Sequence, residues 1–299
     1  MLHFPEQAAA IITKLYPEVN FASKPEIITG GQSYLLPMTF EGKPALLKIP
    51  LYLFPTEDGA ELSHACLTNE IWAYQQLSGL PGLVATYFSG EMIIEDQTLP
   101  YLGMRRYDKT LDECSHELAL ATILDDVISL ALIVKGIHSH KLVHRDINPT
   151  NCFLDGNNLV LGDLGLVKEH NLYNKVEIVG TDIYAPPEQF IGKPLISTDV
   201  WSLGMTYFGL LTGEKKEDVQ AIFIENNLYN YIGSKSLISL FGETEYLEMV
   251  RNRFPWSKPA LIVAGESIRL FNQIFTNWEN RIELPIFISR LYELSTLLS

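Results

Sequence analysis

The stretch from Leu142 to Gly165, LVHRDINPTNCFLDGNNLVLGDLG, constrains this chain more than any other. It carries His144-Arg145-Asp146, then Asn151 five residues beyond that aspartate, then Asp163-Leu164-Gly165 after a turn and a short apolar run. Asp155-Gly156-Asn157-Asn158 predicts the turn of a hairpin, with Asp163 ending its second strand. Asp146 and Asn151 then fall on one loop, and three oxygen-bearing side chains can converge on one phosphate-and-metal site. Hard Mg²⁺ favours oxygen ligands such as the Asp163 carboxylate and the Asn151 carboxamide. Asp146 is left to orient or deprotonate an attacking hydroxyl.

H-R-D-x4-N followed by D-L-G at this distance resembles the catalytic loop and metal-binding motif of the eukaryotic-type (Hanks-type) protein kinases, serine/threonine branch. The resemblance implies an α+β, bilobal protein-kinase-like fold. It would have a small β-rich N-lobe with one key helix and a larger, mainly helical C-lobe. It also implies ATP and Mg²⁺ as cofactors, a protein substrate, Asp146 as base, and Asn151 and Asp163 as the Mg²⁺ ligands. His144 and Leu164, beside Gly165, are then packing residues that steady the loop.

At 299 residues the chain suits one two-lobed domain or two small ones. With 47% hydrophobic and 19% charged residues it reads as globular. A net charge of −14 argues against nucleic acid as the primary partner. Apolar runs such as 127–134 are too short for a membrane span, and the first twenty residues show no secretory signal. The three cysteines, Cys66, Cys114 and Cys152, lack C-x-x-C spacing and read as reduced thiols in a cytoplasmic setting. Delivery into a host cell by a specialised secretion system would leave no mark in such a sequence. Oligomeric state and substrate identity are not written in it either.

Residues 6–16 predict an amphipathic helix with Ala9, Ile12, Leu15 and Tyr16 on one face, giving an N-terminal extension over residues 1–20. The expected N-lobe runs from 21 to 106. Its strands are read at 26–29, 34–40 and 45–49, separated by the turns Gly30–Ser33 and Glu41–Pro44. Pro37 marks a bulge or an edge in the second strand, because it has no N–H for the ladder. By resemblance the first turn takes the place of the glycine-rich phosphate loop, with only Gly30 and Gly31 surviving. Ala45–Ile49 is similar to the V-A-I-K strand, with Lys48 holding the α- and β-phosphates. A lysine inside an apolar strand needs a partner. Glu70 on the next helix is the choice, with Glu61 as its rival. Further strands are read at 84–89 and 91–95. Met104 resembles the residue guarding the back pocket, and Arg105–Tyr107 the hinge whose backbone binds adenine.

The C-lobe is expected over 107–299, starting with one long helix at 118–140 whose apolar side includes Leu120, Ile123, Leu124, Val127, Ile128, Ala131, Leu132 and Ile137. His138 and His140, two apart, face away from each other and are read as structural rather than metal-binding. Asn148 is the main departure from the family pattern: lysine is usual there, so a cation is missing where transition-state charge builds up. One such group is worth about 2–4 kcal/mol. Slow turnover is therefore expected, and Asn148→Lys is expected to raise it.

Gly180-Thr181-x-x-Tyr184-x-Pro186-Pro187-Glu188 is similar to the activation-segment ending of serine/threonine kinases. Arg145 would let a phosphorylated segment dock. Tyr173 and Thr181 are the candidate hydroxyls, with Thr181 read as contacting Asp146 directly. Asp199 resembles the buried aspartate that accepts N–H bonds from the catalytic loop, and Arg281 the arginine that pairs with Glu188. Closing helices are read at 266–276 and 285–298. Two other functions compete with an active serine/threonine kinase: a pseudokinase-like nucleotide-binding regulatory module, and a small-molecule kinase of the aminoglycoside or choline type. The latter enzymes lack the activation-segment ending and the Asp199 and Arg281 pattern.

Overall fold

The computed structural model describes residues 4–23, 26–52, 60–172, 182–186, 188–189, 192, 195–214, 242–255 and 257–298. The chain forms two compact units. The first comprises Met1–Gly79, Leu83–Asp108 and Asp163–Leu166; the second comprises Leu80–Gly82, Lys109–Gly162 and Val167–Ser299.

The first unit opens with helix α1 (Phe4–Leu15) and short strands β1 (Val19–Phe21) and β2 (Ile28–Thr29). Strands β3 (Ser33–Phe40) and β4 (Lys43–Pro50), helix α2 (Ala60–Gln76), and strands β5 (Thr86–Ile94) and β6 (Gln97–Arg105) follow. The sheet is antiparallel in the order β1-β3-β4-β6-β5, with β2 also on β3. Two-residue turns with both residues at positive φ close two of its hairpins: Glu41-Gly42 (49° and 75°) and Glu95-Asp96 (49° and 64°). Such mirror-image turns match the twist of the flanking strands.

Two strand assignments change. The segments expected at 84–89 and 91–95 form one strand, β5. Gly90 does not break it; Gly90 pairs with Tyr101, and a Cβ there would lie 2.5 Å from the Tyr101 hydroxyl. The segment expected at 26–29 shrinks to Ile28–Thr29, and β1 is an unexpected strand. β1 pairs with Met38–Phe40 and β2 with Tyr34–Leu35, so the break between them falls at Leu36–Pro37. A proline has no N–H to extend either pairing across that gap.

The core of this unit lies between α1 and the sheet. Ala8, Ala9 and Ile12 pack with Leu36, Met38, Ala45, Leu47, Ile49, Met92 and Leu99. Leu15, expected on this face, is 53% exposed, because the helix ends there and Tyr16 turns inward instead. The Tyr16 ring stacks on Phe88 with centroids 4.0 Å apart, and its hydroxyl lies 3.0 Å from that of Tyr101. In β4, Ala45, Leu47 and Ile49 are fully buried on one face. The period of two therefore sends Lys48 to the other face.

The second unit is mainly helical. Its elements are α3 (Leu111–Cys114), α4 (Leu120–Ser139), β7 (Leu142–Val143), β8 (Cys152–Asp155), β9 (Asn158–Leu161) and β10 (Lys168–Glu169). Helices α5 (Ile196–Thr212), α6 (Glu243–Arg253), α7 (Lys258–Ile274) and α8 (Leu284–Thr296) complete it. β8 and β9 form the expected hairpin, but β9 ends at Leu161, so Asp163 stands beyond the strand and not at its end; β10 pairs with β7. From Thr198 to Thr212 every residue of α5 is buried, with Trp201, Tyr207 and Phe208 at its centre. α4 packs against α5, α8 and β9. No helix among the described residues is long and apolar enough to cross a membrane.

α4 holds two exceptions to the expected apolar face. Leu132 is 44% exposed, whereas Asp126 is only 7% exposed. Burial, with Asp125 beside it, pushes the Asp126 carboxyl up to about 6, and its Oδ2 has no hydrogen-bond partner. The folded chain thus holds this proton at pH values where the unfolded chain has lost it. Stability falls as pH rises from about 4 to about 6 and then levels off. Asp126→Asn removes that cost. Thermal melts should show the variant more stable than wild type at pH 7 by about 1–2 kcal/mol after solvent screening, with the advantage gone at pH 4.

Candidate functional site

In the first unit the site begins with Lys48 on β4. Its Nζ lies 2.6 Å from Glu70 Oε2 and 3.2 Å from Asp163 Oδ1. Glu70 is 1% exposed, whereas the Asp163 side chain is 45% exposed. Glu61, the rival partner, is itself exposed. Burial alone would push the Lys48 ammonium down, but the carboxylates of Asp163 and Glu70 prevail and hold it above its ordinary value. Burial pushes the Glu70 carboxyl up, and Lys48 is the charge that opposes it. The turn Leu164–Leu166 packs on α2, with Leu164 fully buried and Asn69 Nδ2 donating to Gly165 O at 2.9 Å. Asp163 itself has φ +54°, a left-handed conformation that a non-glycine residue adopts at a cost of about 1–3 kcal/mol.

The expected nucleotide-binding backbone is partly committed elsewhere. The Gly30 N–H donates to Ser33 O at 2.8 Å, closing the turn, while a Cβ on Gly31 would meet nothing within 4 Å. Met104 is buried and pairs with Leu46 on β4. The Arg105 amide donates to Ala85 O at 2.8 Å and the Arg106 amide to Pro44 O at 3.1 Å. These two N–H groups serve the sheet. The Arg105 guanidinium lies 4.9 Å from the Tyr107 ring centre, a cation–π contact.

In the second unit the loop that carries His144, Arg145 and Asp146 hangs on Asp199. This fully buried carboxylate accepts N–H bonds from His144 and Arg145, each at 2.8 Å, and lies 2.8 Å from His138 Nε2. Burial would raise its pKa, but the His138 bond, the two nearby imidazoles and the Arg145 amide hold it below the ordinary value. His144 is buried, with Nε2 3.2 Å from Gly162 O and Nδ1 accepting the Asp146 N–H at 3.3 Å. With Nδ1 as an acceptor, Nε2 is the ring nitrogen that donates to the Gly162 carbonyl. Arg145 is 3% exposed with φ +71°, and Gln189 Nε2 donates to its carbonyl at 2.9 Å.

Asp146 is held at both carboxylate oxygens. Asn151 Nδ2 donates to Oδ2 at 2.9 Å, and Asn148 Nδ2 to Oδ1 at 3.3 Å. The Asn151 carboxamide oxygen, the end a cation would use, takes no part in these bonds. No group of three His, Cys, Asp or Glu is gathered for a metal among the described residues. Mg²⁺ does not require one, since it takes most of its oxygens from phosphate and water. In the first unit the half-exposed Asp163 carboxylate is an oxygen donor of that kind, and in the second the Asn151 carboxamide is another, each taken by itself.

Glu188 and Arg281 form a buried, two-pronged ion pair, with Nη1 on Oε1 and Nη2 3.3 Å from Oε2. The remaining Arg281 donors go to the carbonyls of Ile274, Ser197 and Thr276 at 3.0, 2.7 and 3.0 Å, so all five are used. Tyr173, Gly180, Thr181 and Pro187 lie outside the described residues. Sequence reasoning missed the bonds of Asn69 and Gln189; Gln189, the immediate neighbour of Glu188, carries no signal of its own. Arg281→Met strands the Glu188 carboxylate in the interior. Calorimetry should show a loss of about 3–5 kcal/mol.

The family model described as protein kinase domain matches residues 92–234. Cyclin-dependent kinase-like 1 of Caenorhabditis elegans is 38% identical over 264 residues, covering 76% of this chain and 72% of that protein. Serine/threonine-protein kinase PknA of Nostoc sp. is 33% identical over 115 residues, 34% of this chain and 20% of that protein. Serine/threonine-protein kinase PknB of Mycolicibacterium smegmatis is 30% identical over 145 residues, 45% of this chain and 23% of that protein. The chain thus spans only about a fifth of the length of these two bacterial relatives.

Proposed function

The chain belongs to the protein kinase family, and on that premise we propose that it transfers the γ-phosphoryl group of Mg·ATP to serine or threonine hydroxyls of a protein substrate. The observation that carries this reading is Lys48, an ammonium kept charged inside an apolar strand by the buried Glu70 and by Asp163. A lysine buried in that way has no packing advantage over a hydrophobe; it suits a site that receives phosphate.

Lys48 is the cation for the α- and β-phosphates, and Glu70 fixes the direction of its Nζ. Mg²⁺, when bound, neutralises charge that builds on the phosphate oxygens. Asn151 and Asp163 are its ligands in this reading. Asp146 accepts the hydrogen bond of the acceptor hydroxyl and orients it, and then takes its proton. Asp199 shapes the loop from beneath by holding the His144 and Arg145 amides. In this reading Arg145 is the residue that a phosphorylated Thr181 or Tyr173 would pair with. Cys66, Cys114 and Cys152, none of them in a disulfide, suit a reducing compartment such as the cytoplasm.

A second reading, a nucleotide-binding module with little turnover, is favoured by the Gly30 amide, which is bonded to Ser33 rather than presented to phosphate. Transfer of label from γ-³²P-ATP with Mg²⁺, to the chain itself or to a basic protein, separates the two. The expected result is label on phosphoserine or phosphothreonine that drops at least about 100-fold in Asp146→Ala. ATP binding without transfer would select the second reading.

A further inference from the structure

Asn148 stands in the catalytic loop with its side chain engaged at both ends. It is 1% exposed. Its Nδ2 donates to the Asp146 carbonyl at 3.2 Å and to Asp146 Oδ1 at 3.3 Å. Its Oδ1 accepts the Thr150 N–H at 3.0 Å and the Thr150 hydroxyl at 2.5 Å. The Thr150 amide bond caps the short helical turn Pro149–Asn151, so the carboxamide cannot swing outward without uncapping that turn. The opposite Asp146 oxygen is held by Asn151.

We propose that Asn148 is a positioning residue for Asp146: a second carboxamide clamp, anchored on Thr150, that fixes the plane of the carboxylate. The proposal rests on the role of Asp146 in phosphoryl transfer given above. A carboxylate with a donor on each oxygen cannot rotate freely about its terminal bond, and a group that must meet a hydroxyl in line gains from that restriction. The geometry also reverses the expectation for Asn148→Lys. A lysine brings a cation but has no acceptor for Thr150, so it removes the anchor and the cap together. Asparagine here is a part with bonds of its own rather than a vacancy where a charge is wanting.

The test uses Asn148→Ser and Asn148→Lys in the full chain. Serine keeps a cap for the Thr150 amide but is too short to reach Asp146. Asn148→Ser should lower kcat about 10- to 100-fold, with KM for ATP within about twofold and the melting temperature retained. Asn148→Lys should lower kcat as well. An unchanged kcat in the serine variant, or a raised one in the lysine variant, would overturn the clamp while leaving the kinase activity standing. An activity-independent readout is the ¹⁵N–¹H₂ signal of the Asn148 side chain, assigned by its loss in Asn148→Ser. It should shift in a folded Asp146→Ala variant; a signal that stays put also overturns the clamp. If wild type transfers no phosphate, the proposed activity falls and this signal alone decides.

Discussion

Everything in the loop that carries Asp146 depends on one buried carboxylate. Asp199 receives two consecutive backbone amides and an imidazole, and it is placed by a helix that is buried from Thr198 to Thr212. Two consecutive amides reach this one acceptor, and immediately after them Arg145 bends the backbone at φ +71°. The cost of burying the aspartate is offset by these donors, whereas the strain of a left-handed arginine is a further cost that the same contacts hold in place. Removing either partner leaves the other without justification. Through the same bend, Asp146 comes to face Asn148 and Asn151.

A similar logic organises Lys48. The alternation of β4 puts Ala45, Leu47 and Ile49 into the core and leaves Lys48 on the opposite face, where an unpaired ammonium would be untenable. Glu70 and Asp163 answer that need from different segments, α2 and the residues following Gly162. One lysine thus sets the position of a helix and of a turn.

What the sequence made legible were features with a fixed period or a fixed spacing. The β8–β9 hairpin, the long helix α4 and the β4 strand follow from turn residues and apolar periodicity, and Lys48 and Glu70 from the need of a buried charge for a counter-charge. The β5–β6 turn was hidden because its left-handed residues are Glu95 and Asp96, neither of them glycine, while the real glycine, Gly90, lies mid-strand to admit Tyr101. Asp126 escaped because periodicity counts apolar side chains and takes a carboxylate for the wet face. Asn148 was judged by the charge it lacks. Its local partners were nevertheless readable: asparagine followed by proline is a common start to a helical turn, and its bonds reach only two residues either way. Site geometry that depends on a distant backbone carbonyl, such as that of Arg145, which accepts from the Gln189 side chain, leaves no such local trace.

The gap at Pro37 has a consequence for how copies of this chain behave toward one another. A sheet ending in a long straight strand offers a continuous row of donors and acceptors on which another chain can grow. Here one side of the sheet ends in fragments of three and two residues, Val19–Phe21 and Ile28–Thr29, out of line across a proline. An incoming strand finds no run long enough to register on. The same missing N–H that shortens the sheet thereby guards this edge against strand-to-strand aggregation.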